Sequence, residues 1–284
     1  MTLRIAPFIA LAFVATASAA SGAAPRLAVA SLPPVAGVVE AVGGDTWRCE
    51  ALVGEGSDPH AWEPTPRQMA ALAQAEVFFE SGMPFERALV ARIRRLNPGL
   101  RIVELAHGHD HGHDHHGDEG DGDPHGWLST ADLLYYSEEV CETLSDLDPV
   151  RAGTYDAARA AFAQRAERAA DMARGRLAGV RAFAAFHPAY GHFAAEFGLR
   201  QIALQEDGRD PGPRHLAEAE RAVRETGARV LLVQSASEAR RAAAFLDRTG
   251  LEVRTVNPLG RDALATIAAV ADALAAGGAG EGAP

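Results

Sequence analysis

Residues 148–180 read DPVRAGTYDAARAAFAQRAERAADMARGRLAGV. The run opens on an aspartate fit to cap a helix and on a proline, Pro149, of the kind tolerated in a first turn. The remainder is dominated by alanine, arginine and glutamate, with no second proline and with glycine only at 153, 175 and 179. This pattern predicts one long helix over 149–180, roughly 45 Å at 1.5 Å per residue. Such a helix outruns a single small lobe and reads as a stiff strut between two.

The sequence on either side fits that division. Before the strut come the short apolar runs LAVAS (27–31), WRCEALV (47–53), VFFES (77–81) and RIVEL (101–105); after it come RAFAAF (181–186), LRQIAL (199–204), ARVLLV (228–233) and LEVRTV (251–256). Each is separated from the next by an alanine-rich or amphipathic stretch of helical character, starting near Val35, Pro66, Phe85, Tyr190, Pro213, Ser237 and Asp262. Alternating strands and helices give an α/β class with parallel sheets. The expected organisation is an N-terminal lobe over 26–148, the linker helix over 149–180 and a C-terminal lobe over 181–278. Thr65-Pro66-Arg67-Gln68 and Ser129-Thr130-Ala131-Asp132 each offer a capping hydroxyl at a helix start.

The first residues speak to compartment. Arg4, a largely apolar run from Ile5 to Ala17 and the small residues Ala17-Ser18-Ala19 have the form of a secretory signal peptide over 1–19. No cysteine stands near the cut, which argues against a lipid anchor. The formal net charge of -11 argues against nucleic acid or an anionic membrane as partner and is compatible with cation binding. Cys49 and Cys141 are the two cysteines. In an oxidising compartment they form one disulfide or remain two small buried side chains, and the sequence leaves both open.

The chemistry is carried by histidine. Of the 11 in the chain, six fall in the glycine- and acid-rich segment 107–122: His107, His109, His111, His113, His115 and His116. Three others stand at strand-to-helix junctions: His60 in GSDPHAWEPTP, His125 in DGDPHGWLS and His187 in HPAYGHF. Side chains at the carboxyl ends of strands in α/β lobes converge on a crevice, so three histidines far apart in sequence can meet there. Two segments of the same D-P-H-x-W form suggest a shared task. Neither G-x-S-x-G, H-E-x-x-H, a phosphate loop nor C-x-x-C occurs.

DPHAWEPTP (58–66), the histidine-rich insert, DPHGWL (123–128), the long helix, HPAYGHFAAEFGLRQIAL (187–204) and VNPLG (256–260) together give a chain that resembles the zinc- and manganese-binding solute-binding proteins of bacterial ABC metal importers. The resemblance covers nearly all of the expected mature chain. It implies two (β/α) lobes joined by a rigid backbone helix, with one metal in the cleft between them. By position it implies His60 and His125 as ligands from the first lobe and His187 from the second. It further implies a periplasmic carrier, a monomer that delivers metal to an ABC transporter membrane permease, with a periplasmic zinc chaperone as a further partner and no enzymatic activity. Relatives commonly show aspartate before Pro-Leu-Gly; here that residue is Asn257, so the fourth ligand becomes Asn257 or water, with Glu206, Asp207 and Asp262 as alternatives.

Three neutral imidazoles suit Zn²⁺ in a tetrahedral shell, whereas Mn²⁺ prefers more oxygen donors, which makes zinc the expected metal without excluding Cu²⁺ on affinity. The insert histidines are expected to be an auxiliary, weaker zinc-gathering segment, since a flexible chelator loses ordering entropy on every binding event. His192 stands where the family usually shows an aromatic, and His215 at a helix start; neither is assigned to metal. Trp62 and Trp127 are expected to wall the cleft or to be lobe core. Two alternatives remain: an exported three-histidine zinc hydrolase with an open fourth position, and a carrier of manganese or another divalent metal on the same fold.

Overall fold

The computed structural model describes residues 24–54, 56–105, 123–205 and 211–277. The expected signal peptide lies outside the described residues, as do Glu206 and Asp207. So do the expected auxiliary metal ligands His107, His109, His111, His113, His115 and His116.

All eight apolar runs are strands. The first lobe carries β1 (Arg26–Ala30), β2 (Trp47–Ala51), β3 (Val77–Glu80) and β4 (Arg101–Glu104), paired in parallel in the order β2-β1-β3-β4. The second carries β5 (Ala182–Ala185), β6 (Arg200–Ala203), β7 (Val230–Val233) and β8 (Glu252–Thr255) in the same arrangement, β6-β5-β7-β8. In chain order the helices are α1 (Pro33–Gly43), α2 (Pro66–Gln74), α3 (Pro84–Leu96), α4 (Thr130–Leu147), α5 (Ala152–Arg176), α6 (Gly191–Glu196), α7 (Pro213–Thr226), α8 (Ala236–Arg241), α9 (Ala243–Thr249) and α10 (Ala263–Ala276). Among the described residues no helix is long and apolar enough to cross a membrane.

Period-2 alternation decides which layer each strand residue meets. In β1 and β3, Ala28, Ala30, Val77 and Phe79 face a core shared with α1, α4, α5 and α10, while Val29 and Phe78 face the opposite layer built on α2 and α3. In β5 and β7, Phe183, Ala185, Val230 and Leu232 belong to that same shared core, and Ala184, Leu231 and Val233 pack on the outer side with α7 and α9. The two sheets therefore rest on one continuous apolar layer between them. Gly37 on α1 is pressed so close to the Arg261 carbonyl that a Cβ there would lie 1.9 Å from the oxygen, so close packing across the lobes requires glycine.

The strut is real but shorter than the sequence pattern predicts. Asp148 closes α4 with φ -144°, Pro149–Arg151 form a 3₁₀ turn, and the α-helix proper runs 25 residues from Ala152 to Arg176. The Asp148–Pro149 pair thus makes a tight corner between two packed helices. Asp148 accepts hydrogen bonds there from Arg151 at 2.8 Å and from the buried Tyr155 hydroxyl at 3.1 Å. At the other end Gly179, at φ +87°, turns the chain into β5.

The disulfide does not form: Cys49 and Cys141 are free thiols, both buried. Cys49 sits on β2 in the shared core, and burial pushes its thiol well above the ordinary value. Cys141, on α4, donates its S–H to Asp156 of α5 at 3.4 Å, so the thiol is spent on the helix pair.

Candidate metal centre

The two D-P-H segments fold alike. Asp58 accepts the backbone N–H of His60 at 2.9 Å, and Asp123 accepts that of His125 at 3.0 Å. Each aspartate closes a turn onto the residue two positions on and the proline between them fixes φ; a 3₁₀ turn takes in His60 itself at Pro59–Ala61 but begins only after His125, at Gly126–Leu128. His60 follows β2, His125 lies on the connection after β4 and His187 follows β5, so all three issue from the carboxyl ends of strands. The structure brings these three together: one ring nitrogen from each lies within 4.8 Å of the others. The six insert histidines, His107, His109, His111, His113, His115 and His116, fall outside the described residues and are not among the three.

The rings are held unequally. His125 is 5 % exposed, and its Nδ1 meets Asp123 Oδ1 at 2.6 Å. His187 directs Nδ1 at the amide oxygen of the buried Gln205 at 3.2 Å. A carboxylate and an amide oxygen only accept, so in the neutral rings both Nδ1 atoms carry the proton and both Nε2 atoms present lone pairs. Those two Nε2 atoms face each other at 3.4 Å. Two nitrogens bonded to one tetrahedral zinc at 2.0–2.1 Å stand roughly 3.4 Å apart, so the spacing of this pair matches that of two ligands of one zinc. His60 is exposed, and its ring centroid is 5.9 Å from that of His125 and 5.0 Å from that of His187.

Electrostatics favour the neutral form of His187 and of His60. Burial, then the neighbouring His125 and His60, lowers His187 to about 4. Withdrawal from solvent and the proximity of His125 lower His60, with Asp58 opposing. Burial pushes the Asp123 carboxyl up, but the hydrogen bond from His125 and the proximity of His125 and His192 outweigh it and leave it below the usual range.

The three histidines line a cavity of about 360 Å³ between the lobes, together with Trp127, Gln205, Glu238 and Asn257. The Asn257 carbonyl oxygen already accepts the Leu259 N–H at 3.0 Å, which leaves it one lone pair for another partner. Asp262 is not on this wall. It caps α10 by accepting from Ala265 at 3.1 Å and pairs with Arg165 at 3.4 Å. Trp127 is 1 % exposed, packs on the His125 ring and donates its indole N–H to the Pro258 carbonyl at 2.9 Å, so it is at once cleft wall and core. Trp62 instead stacks on Phe85 at 4.8 Å, within the packing of the first lobe.

Sequence reasoning missed two acids of the cavity, Asp58 and Glu238. Glu238 accepts the Gln234 N–H at 2.7 Å, and the Ser235 hydroxyl accepts the Glu238 N–H, a pattern legible in the sequence as a helix cap but silent about the cleft. His215 contacts the Ala203 carbonyl at 2.9 Å, away from the cluster. His192 is part-buried and held at both ring nitrogens: its Nδ1 meets Asp132 at 2.8 Å and its Nε2 meets the Asp123 carbonyl at 2.9 Å.

The fold has counterparts among solved structures. A crystal structure of ZnuA superposes with TM-score 0.80 at 28% identity, covering 89% of this chain and 98% of that one. A structure of a 138-173 ZnuA deletion mutant with zinc bound gives TM-score 0.81 at 28% identity, covering 92% and 100%. Among curated proteins, the zinc-binding lipoprotein AdcA of Streptococcus pneumoniae is 26% identical over 281 residues, which is 91% of this chain and 55% of AdcA. The manganese-binding lipoprotein MntA of Halalkalibacterium halodurans is 26% identical over 183 residues, 63% of this chain and 60% of MntA. The chain spans about half the length of the first curated relatives it matches. The family model for ZnuA, the periplasmic component A of a zinc-uptake complex, matches residues 28–276, nearly the whole described chain, and the protein belongs to that family.

Proposed function

We propose that the protein is exported to the periplasm, captures Zn²⁺ between its lobes through His60, His125 and His187, and delivers it as a monomer to the membrane permease of an ABC importer, with a periplasmic zinc chaperone as a further partner. The observation that carries this reading is the apposition of two imidazole Nε2 atoms at 3.4 Å, each with its other ring nitrogen turned to an acceptor. Three neutral nitrogen donors favour zinc over manganese, which prefers carboxylate and water oxygen. The fourth position is held by Asn257 or by water. Zinc is cargo here, and the 107–122 segment gathers it near the cleft. The family and its zinc-named relatives support import; MntA, named for manganese, makes metal choice the point to test.

The hydrolase alternative needs a general base beside the open position. The cavity acids support it poorly, since Asp58 is engaged with the His60 N–H and Glu238 with the Gln234 N–H. The test is competition against a chromophoric chelator with Zn²⁺ and Mn²⁺, for the full chain and for a chain lacking 107–122. One tight zinc site, much tighter than for manganese and retained in the deletion, is expected. Manganese preference, loss of the tight site in the deletion, or turnover of ester or phosphate substrates by the zinc-loaded chain would overturn the proposal.

A further inference from the structure

We propose that His192, acting from the second lobe, is a positioning residue for the metal centre: as a doubly donating imidazolium it fixes Asp123, and Asp123 fixes the tautomer and orientation of His125. The inference rests on reading the cleft as the metal site. His192 is the second residue of α6 and reaches across to the first lobe. Its ring lies between the Asp132 carboxylate, at 2.8 Å, and the Asp123 backbone carbonyl, at 2.9 Å. Neither partner has a proton to give, so each ring nitrogen must donate, and the ring is cationic. The hydrogen bond to Asp132, with the charges of Asp123 and Asp132, outweighs burial and raises His192 to about 9.

The residue before it acts on the same aspartate. A Cβ on Gly191 would lie 2.3 Å from Asp123 Oδ2, so the start of α6 bears directly on that carboxylate. The other carboxylate oxygen takes both the backbone N–H of His125, at 3.0 Å, and its Nδ1, at 2.6 Å. Asp123 is thus held by its carbonyl and along one side of its carboxylate from the second lobe, and spends its remaining oxygen on a ligand of the first. The same helix is tied down at its far end, where Glu196 accepts from the Thr130 backbone at 2.7 Å and from the Thr130 hydroxyl. A neutral aromatic at 192 would leave the Asp123 carbonyl without this donor and the buried Asp132 carboxylate without its own, the latter at the cost that attends an unpaired buried polar group. Partners that orient a metal-bound histidine typically change affinity by about 10–100-fold when removed.

The experiment compares wild type, His192→Phe and His192→Gln. In each metal-free protein the protonation of both nitrogens of every histidine is read by ¹⁵N NMR at pH 7, and zinc affinity is measured by chelator competition. The expected result is a wild-type His192 protonated on both nitrogens and a His125 protonated on Nδ1 alone. His192→Phe should show a mixed His125 tautomer and zinc binding weaker by about tenfold, and His192→Gln, which keeps one donor group, should fall between. A neutral wild-type His192, or a folded His192→Phe with unchanged His125 tautomer and unchanged affinity, would overturn the proposal. If the phenylalanine variant does not fold, the wild-type protonation state and the glutamine variant decide the matter. A wild-type chain that binds no zinc would overturn the proposed function, while the His125 tautomer in the metal-free protein would still judge the role of His192.

Discussion

The loops 58–62 and 123–127 share the sequence D-P-H-x-W and the same aspartate turn, yet they present their histidines in opposite ways. His125 is buried, packed on Trp127, and bonded through Nδ1 to its own turn aspartate at 2.6 Å. His60 is exposed, and its turn aspartate holds only the backbone. The difference comes from what surrounds each loop: both turn aspartates are exposed, but Gly191 and His192 of α6 in the second lobe meet Asp123, while Asp58 lines the cavity. One local motif thus yields a buried histidine and an exposed one. In the proposed site, His125 and His187 set the metal position and His60 is the accessible third donor.

That comparison can be broken most forcefully by removing the ligands. His125→Ala and His187→Ala should each weaken zinc binding by more than the roughly 10–100-fold typical of outer-shell losses, and His60→Ala should also do so, since an open shell of two nitrogens remains. Chelator competition measures all three, and a variant with unchanged affinity strikes that histidine from the site.

The turn aspartates give the sharpest contrast between the loops. Asp123→Asn removes the carboxylate that orients a ligand ring and should cost about 10–100-fold in zinc affinity, while Asp58→Asn should cost only a few-fold. Equal losses in the two variants would show that the loops work alike.

At the fourth position the effect should have the other sign. Asn257→Asp places a carboxylate on the cavity wall and should tighten zinc binding by on the order of tenfold, a fraction of the ~4 kcal/mol between unit charges 4 Å apart near a protein surface. Equal affinities for wild type, Asn257→Asp and Asn257→Ala would mean that residue 257 does not face the metal.

Smallest is the effect of pH on the metal-free fold. His187, lowered from 6.5 to about 4, contributes stability that is present above 6.5 and is lost as pH falls toward 4. His192, raised from 6.5 to about 9, contributes stability that is full below 6.5 and is lost as pH rises toward 9. Calorimetric melting temperatures should therefore be highest near pH 6.5 and decline by a few degrees on either side, and His192→Phe should remove the alkaline decline. A wild-type alkaline limb that persists in that variant would assign it to another group.

Much of this was legible in the sequence because it is local or periodic. The eight strands announced themselves as short apolar runs, with the inner strands β1, β3, β5 and β7 buried on both faces as central parallel strands are, and the three histidines stood in the loops that lead from such runs to helices. What the sequence could not show depends on where side chains point after the lobes meet. The start of α5 follows from a corner sealed by Asp148 and Tyr155, not from helix propensity, and the predicted 149–180 overran the helix at both ends. The state of Cys49 and Cys141 depends on Cys141 facing Asp156 on the neighbouring helix. His192 read as an ordinary histidine because its partners lie 60 and 69 residues away.

The central claim is that the tight metal is held by the cleft trio and not by the histidines of 107–122. Anomalous diffraction at the zinc edge, from crystals of the full chain loaded with one equivalent of zinc, tests it directly. The account predicts one dominant peak about 2.0–2.1 Å from a ring nitrogen of each of His60, His125 and His187. A dominant peak within 107–122, or one that leaves out either His125 or His187, would contradict it.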